Sequence, residues 1–263
     1  MHLLDTVQAP GHWRTVDFIS DLHLQASEPA NFEAWKHYLQ HTTCDALFIL
    51  GDLFEVWVGD DVLDDPTEGP FIHACVQLLQ AVSQRLPVYF MAGNRDFLLG
   101  KRMLATTGMQ GLTDPATLTL GGERWVLSHG DEWCLADTGY QAFRKQVRSS
   151  TWQTQFLEQS LALRLATARH MRQTSEQRKG TQTDWADVDT TAAANLLLQY
   201  GAVRLMHGHT HQPAEHPLGH DKTRFVLSDW DARNTPPRLE VARWTASSKD
   251  SVQAALLRIP IHC

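Results

Sequence analysis

The sequence predicts an α/β fold, and three features carry that prediction. Short apolar runs with β character recur along the chain. Helical patterns lie between them. Metal-ligand residue types gather just beyond the carboxyl ends of the runs. Strands interleaved with helices build a sheet with helices on its faces.

Taken in order, residues 16–19 read as a strand and 31–39 as a helix. Residues 46–50, Ala-Leu-Phe-Ile-Leu, are apolar at every position and stop at Gly51, which suits a strand buried on both faces. Over 71–85, Ile72, Cys75, Val76, Leu79 and Val82 recur at helical spacing, and the helix stops before Pro87. Strands follow at 88–91, 125–127 and 203–206, then 224–227 and a β-like tail. Between Asp137 and Tyr200 there is no strand signal, while Phe143, Val147, Phe156, Leu157, Leu161, Leu165 and Ala168 recur at helical spacing. That stretch is too long for a simple connection. It reads as a helical cap inserted at about 137–200 into a single domain spanning 1–263. The alternative is a pair of ordinary sheet-covering helices.

Composition narrows the function classes. Of 263 residues, 43% are hydrophobic and 20% charged, so disorder and low complexity are excluded. No window reaches the ~18 consecutive apolar residues of a membrane span. The first fifteen residues lack a basic start followed by an apolar core, so a cytoplasmic location is expected. Four scattered cysteines suit idle buried thiols better than a disulfide framework or zinc ribbon. A net charge of −7 argues against a general nucleic-acid binder. Locally the sign reverses, and the segment 140–180 carries a charge of +6.

The chemistry sits at strand ends. The first strand runs into Asp21-Leu22-His23, the second into Gly51-Asp52 and the third into Gly93-Asn94-Arg95-Asp96. The fourth runs into Ser128-His129-Gly130-Asp131, and the fifth into His207-Gly208-His209-Thr210-His211. In open α/β sheets, ligands bind beyond the carboxyl ends of the strands. Each motif alone reads equally well as a turn, a helix cap or a surface loop; the order and shared strand-end context of all five do not follow from packing. Oxygen and imidazole donors without thiolate fit Mn²⁺, Fe²⁺ or Zn²⁺. Seven such ligands suit two ions ~3.5–4 Å apart sharing one carboxylate, the arrangement for in-line attack on phosphorus. Asp52, central among the loops, is the natural bridge.

Asp-x-His, Gly-Asp, Gly-Asn-x-Asp, a strand-end His and Gly-His-Thr-His, in this order, resemble the calcineurin-like metallophosphoesterase superfamily. The resemblance implies a four-layered α/β/β/α sandwich. It also implies Asp21, His23, Asp52 and His209 around a first metal, and Asp52, Asn94, His129 and His207 around a second. Arg95 stands where the superfamily pattern commonly has a His that protonates an alkoxide leaving group. A phosphate leaving group needs charge neutralisation more than a proton, and a forked guanidinium supplies it. Arg95 therefore points to a pyrophosphate.

Phe18-Ile-Ser-Asp-Leu-His-Leu24, Leu50-Gly-Asp-Leu-Phe-Glu-Val-Trp57, Gly93-Asn-Arg-Asp-Phe97 and Met206-His-Gly-His-Thr-His-Gln-Pro213 resemble the UDP-2,3-diacylglucosamine pyrophosphohydrolase family of lipid A biosynthesis. The resemblance implies hydrolysis of UDP-2,3-diacylglucosamine to lipid X and UMP, by two-metal attack of hydroxide on the α-phosphorus. Two Mn²⁺ ions are the implied cofactor. A peripheral seat on the cytoplasmic face of the inner membrane is implied, where each cap cation is worth ~1 kcal/mol. Asp52, Asn94, Arg95 and His207 fall on catalytic positions. Asn94, Arg95, Asp137, Ser175, Lys179 and His207 fall on substrate-contact positions. A soluble nucleotide-diphosphate hydrolase, or another phosphoesterase on the same fold, is the alternative, and a non-catalytic scaffold would lack ligands that are present here. The acidic run from Asp60 to Glu68 reads as a solvated loop, Trp57 as core or groove lining, and His211 as either an orienting residue or a surface one.

Overall fold

Ala46–Leu50 is apolar throughout because its two faces enter two different cores. Ala46, Phe48 and Leu50 point into one buried cluster, and Leu47 and Ile49 into another. The same alternation governs the other central strands. Trp125 and Leu127 face the first cluster while Val126 faces a third. Met206 and Leu205 divide in the same way. A period of two residues with both faces buried demands cover on each side of each sheet.

The computed structural model describes residues 4–179, 186–246 and 254–261. In chain order it runs β1 (Thr6–Gln8), β2 (Thr15–Ile19), α1 (Pro29–His41), β3 (Ala46–Leu50), α2 (Gly69–Ser83), β4 (Val88–Met91), α3 (Lys101–Thr107), β5 (Gln110–Leu112), β6 (Ala116–Leu120) and β7 (Glu123–Leu127). Four helices follow, α4 (Thr138–Val147), α5 (Ser150–Leu157), α6 (Leu161–Lys179) and α7 (Thr190–Tyr200). The chain then forms β8 (Arg204–His207), β9 (Ala214–Gly219), β10 (Lys222–Val226), β11 (Glu240–Thr245) and β12 (Ala255–Pro260).

The strands form two six-stranded sheets, ordered β1-β6-β7-β8-β10-β9 and β12-β11-β2-β3-β4-β5. Phe18, Phe48, Trp125 and Met206 fill the space between them. α1 and α2 cover the outer face of the second sheet through Trp35, Leu39, Cys75 and Leu79. α7 covers the outer face of the first through Ala193, Leu196 and Leu197. The layers are therefore helix, sheet, sheet, helix, as the family resemblance implies. Neighbours β2, β3 and β4 are parallel, as are β7 and β8, so their carboxyl ends share a rim.

The helical stretch at 137–200 divides in two. α7 belongs to the sheet-covering layer. α5 and α6 lie against the cluster beneath α1 and α2, burying Phe156 and half-burying Trp152, Leu161, Leu165 and Ala168. The excursion leaves and returns at one place, where Trp133 O accepts from Asp189 N at 2.9 Å. Arg224 holds the returning chain by a forked pair to Asp187, at 2.8 and 2.7 Å. Among the described residues no helix is long and apolar enough to cross a membrane. The sequence reading passed over β1, β5, β6, β9 and α3, which are short or carry little apolar periodicity.

The inter-sheet core is aromatic. Phe48 stacks between Phe18 at 5.2 Å and Tyr89 at 4.5 Å. Phe48→Ala removes that ring from a site with no exposure. It is expected to cost about 3–5 kcal/mol, read as a fall in the urea midpoint.

Candidate active site

Five non-glycine residues at the rim adopt left-handed backbone: Asp21 (φ 55°), His23 (50°), Asp52 (53°), His209 (67°) and His211 (53°). Each such residue costs ~1 kcal/mol or more, and such strain gathers where geometry serves function. Among the described residues the other two non-glycine cases, His220 and Asp221, sit in the β9–β10 turn. The left-handed turns reverse the chain just past the strand ends and aim the side chains at one another. Two glycines make room. A Cβ on Gly93 would overlap the Asp52 carboxylate, and one on Gly208 would overlap that of Asp21.

Asp52 is central. Its Oδ1 lies 3.7 Å from His129 Nε2 and accepts from Arg95 N at 2.8 Å. Its Oδ2 lies 4.0 Å from His23 Nε2. On one side stand Asp21, His23 and His211: His211 Nε2 is 3.3 Å from both Asp21 Oδ1 and His23 Nε2. On the other side Asn94 Oδ1 meets His129 Nε2 at 2.9 Å and His209 Nδ1 at 2.8 Å. Asp21, His23 and His211 can present ligand atoms to one cation, and so can Asp21, Asp52 and His129.

This geometry corrects the expected ligand sets by two residues. His211 takes the place expected of His209, and His209 that expected of His207. The reason is backbone: His207 still belongs to β8, and the chain turns into the site only at His209. His207 is fully buried, its Nδ1 lies 2.8 Å from Gly208 O, and its Nε2 has no hydrogen-bond partner. Burial and the nearby Arg224 charge press its pKa down to about 4.

The donor set suits a divalent cation. All donors are oxygen or imidazole nitrogen, and Asp21 Oδ1 is buried without an aligned hydrogen bond. Burial presses His209 down to about 3, so it is neutral and ready as a ligand at pH 7. His129 behaves oppositely. Burial disfavours its charge, but the Asp52, Asp21 and Asp131 carboxylates outweigh that and raise it to about 9. Its imidazolium then donates from Nδ1 to Leu50 O and from Nε2 to Asn94 Oδ1. A proton thus stands where a cation would be coordinated.

Several residues that sequence reasoning left without a role hold this arrangement. Asp96, fully buried, accepts from Gly93 N (2.7 Å), Leu53 N (2.8 Å) and Asp52 N (3.3 Å). Burial and the Asp52 charge raise it to about 7. Glu55 lies between His23 Nδ1 (2.8 Å) and Arg95 Nη1 (3.5 Å). Asp229 links His211 Nδ1 (3.5 Å) to Arg238 (2.6 Å). Asp131 accepts from Tyr140 Oη and from Arg144 Nε at 3.0 Å. Burial opposes its charge, but His129, Arg144 and Arg148 hold it well below the usual carboxylate range. Arg148 donates to Gly93 O at 2.9 Å, and the Tyr140 ring lies 5.8 Å from that of His209. Glu55, Asp96 and Asp131 were visible as parts of the quoted motifs; Asp229 carried no signal.

Other candidates fall elsewhere. Asp137 caps α4, accepting from Tyr140 N at 2.9 Å, and is exposed. The side chains of Ser175 and Lys179 lie outside the described residues. The acidic run is only partly solvated: Asp61 and Asp64 are exposed, yet Asp60 accepts from Gly100 N and Met103 N, Asp61 pairs with Arg164, Asp64 with Arg102, and Asp65 accepts from Thr67 N and Glu68 N. Trp57 is core, 2% exposed, with Nε1 donating to Asp60 at 3.0 Å.

The protonated His129 generates a test. Ligation requires neutral imidazole. Below about 9 a binding ion must displace the His129 proton, so affinity is expected to rise with pH and level off above that value. Titration calorimetry with a divalent ion at pH 7.5, in buffers of different ionisation enthalpy, should report about one proton released from His129 as the site it belongs to fills.

The calcineurin-like phosphoesterase family model matches residues 14–213, a span that contains all five strand-end motifs. A UDP-2,3-diacylglucosamine hydrolase of Xanthomonas axonopodis pv. citri (strain 306) is 43% identical over 240 residues, covering 86% of this chain and 95% of that protein. A UDP-2,3-diacylglucosamine hydrolase of Stenotrophomonas maltophilia (strain R551-3) is 40% identical over 245 residues, covering 88% of this chain and 97% of its own. With ligand-type side chains converging at the strand ends and relatives of this identity along most of its length, the chain belongs to the calcineurin-like phosphoesterase family, alongside the UDP-2,3-diacylglucosamine hydrolases.

Proposed function

We propose that the protein hydrolyses the pyrophosphate of UDP-2,3-diacylglucosamine to 2,3-diacylglucosamine 1-phosphate and UMP, in lipid A biosynthesis. The observation that carries this reading is the placement of Arg95. Its backbone N–H is bonded to Asp52, and its guanidinium is steered by Glu55, which also meets His23. An always-charged fork is thereby fixed beside the ligand cluster, suited to a phosphoryl group whose leaving group is itself a phosphate. The names of the curated relatives supply the nucleotide and the lipid.

Asp21, His23, Asp52 and His211 would hold one divalent ion, and Asp52, Asn94, His129 and His209 a second; manganese suits both oxygen and imidazole donors. Such ions supply Lewis-acid charge to the phosphoryl oxygens and make water a better nucleophile. The chain's own part is orientation. Arg95 binds a phosphoryl oxygen and offsets the charge that grows there. Glu55 keeps Arg95 and His23 in register. The Asn94 amide nitrogen remains as a donor to a phosphoryl oxygen. No side chain needs to protonate the departing sugar phosphate, a weakly basic group.

The cap supports a lipid portion. Leu135, Phe143, Leu157 and Leu163 are four of the six exposed large apolar side chains among the described residues, and all lie between 135 and 163. We place the protein on the cytoplasmic face of the inner membrane, touching it peripherally through this surface. Arg144, Arg148 and Arg164 take no part in that contact, because each is turned inward to a protein partner.

Hydrolysis in ¹⁸O-labelled water, with Mn²⁺ and UDP-2,3-diacylglucosamine, tests the reading. Label in UMP is expected, for attack on the α-phosphorus; label in the sugar phosphate reverses the attacked atom. Turnover of simple phosphodiesters without turnover of the nucleotide lipid would favour a soluble phosphoesterase. Arg95→Ala should lower kcat/KM by ~10²–10³, with Arg95→Lys intermediate. Asp52→Ala should abolish turnover and leave fewer than two ions bound, measured by elemental analysis.

A further inference from the structure

Among the described residues Arg164 is the most buried arginine of the cap, 2% exposed, in the first turn of α6. Such burial costs free energy unless every donor is met and the charge is paired. Each of the three nitrogens donates, and the charge is paired. Nε donates to Gln159 O at 3.1 Å, within the α5–α6 connection. Nη1 donates to Val58 O and, at 2.9 Å, to Asp61 Oδ1. Nη2 donates to Asp61 Oδ2. The guanidinium thus grips a carboxylate with both arms and a backbone carbonyl with one. Lysine cannot reproduce that planar fork.

A second, independent observation lies beneath it. Gly59 has φ +132°, and a Cβ there would overlap Arg164 Nη1 and crowd Leu157. The loop has left space for the fork. That loop is close to the chemistry: it follows the Asp52 turn, and Trp57 N donates to Arg95 O at 3.1 Å. Leu157 and Leu163 shortly precede Arg164 in sequence and stay exposed.

We propose that the Arg164–Asp61 fork is a positioning device for the reaction, seating α6 on the loop after Asp52 so that the cap meets the lipid portion of the substrate at a set distance from Arg95. The proposal rests on the nucleotide-lipid reading above. Arg164 touches neither metal ligand nor substrate phosphate; it acts through the placement of α6. Without the fork, α6 remains a helix but loses its register on the body. The substrate then binds more weakly while the chemical step, once the diphosphate is seated, proceeds as before.

The test compares wild type, Arg164→Gln, Arg164→Lys and Asp61→Asn, all full-length and Mn²⁺-loaded. The last variant keeps an acceptor at a half-exposed position and so guards against a misfolded Arg164 variant. KM and kcat are measured with UDP-2,3-diacylglucosamine in mixed micelles, alongside bound Mn²⁺ and amide exchange of residues 161–171. Arg164→Gln is expected to raise KM about tenfold or more with kcat within about threefold. Its α6 amides should exchange about tenfold faster, with β3 amides and bound Mn²⁺ unchanged. Asp61→Asn should follow in the same direction, and Arg164→Lys should fall between Arg164→Gln and wild type. Unchanged KM and exchange in both Arg164→Gln and Asp61→Asn would overturn the proposal. So would a joint fall of kcat and bound Mn²⁺, which marks a general fold defect. Wild type that does not turn over the nucleotide lipid overturns the preceding reading, and exchange of α6 then decides the fork by itself.

Discussion

A carboxylate removed from water must be met by donors, and Asp96 is met by backbone. The amides of Asp52, Leu53 and Gly93 all point to its two oxygens. Those amides belong to the ends of β3 and β4, so one side chain laces two neighbouring strand ends together. The lacing holds Asp52 in a left-handed turn and keeps Gly93 close against it, where no larger residue fits. Asp52 in turn takes the Arg95 amide, which sets Asn94 and Arg95 on either side of the turn. Because Asp96 and Asp52 are both acidic and close, the arrangement stores repulsion. Burial first and the Asp52 charge second raise the Asp96 titration, and a divalent charge at Asp52 would relieve the second cause.

The body and the cap are joined through charges rather than through a broad apolar seam alone. Asp131 extends from the His129 loop to Tyr140 and Arg144 on α4, and Arg148 reaches Gly93 O on the Asn94 loop. Apolar contacts of Phe156 and its neighbours supply the area beneath. The result is a cap whose inner face adds directional polar contacts to an apolar seat, while its outer side chains include exposed leucines and a phenylalanine. The local excess of positive charge in the sequence is thus partly an internal matter, because some of those cations answer acids on the body.

The fold was legible where both periodicities were strong. Continuous apolar strands such as Ala46–Leu50 and the spaced apolar positions of α2 announce themselves. β6 alternates threonine with apolar residues, and α3 has seven residues, so neither gives a window long enough to read. At the site, motif order brought Asp21, His23, Asp52, Asn94, His129 and His209 to one rim, with His209 on the side of Asn94 and His129 rather than of Asp21 and His23. It misplaced one register at the last strand, because three alternate histidines fit a ligand motif in two ways. Only the strand end, which keeps His207 in β8 and releases His209 and His211 into left-handed turns, separates them. The acidic run was opaque for a related reason: its partners, Arg102 and Arg164, lie far along the chain and share no pattern with it.

The hydrogen bond from Asp189 to Trp133 makes the cap a detour with adjoining ends. The outer part of the segment between those two residues can lengthen or shorten at little cost to either sheet, since loop length alone costs little once the ends are joined. The ligand-bearing turns lie outside the detour. In evolutionary terms the molecule separates two kinds of change. Drift on the outer side of the detour alters what is admitted to the site, while the ligand-bearing turns are inherited beside it with the α4 side chains that brace them.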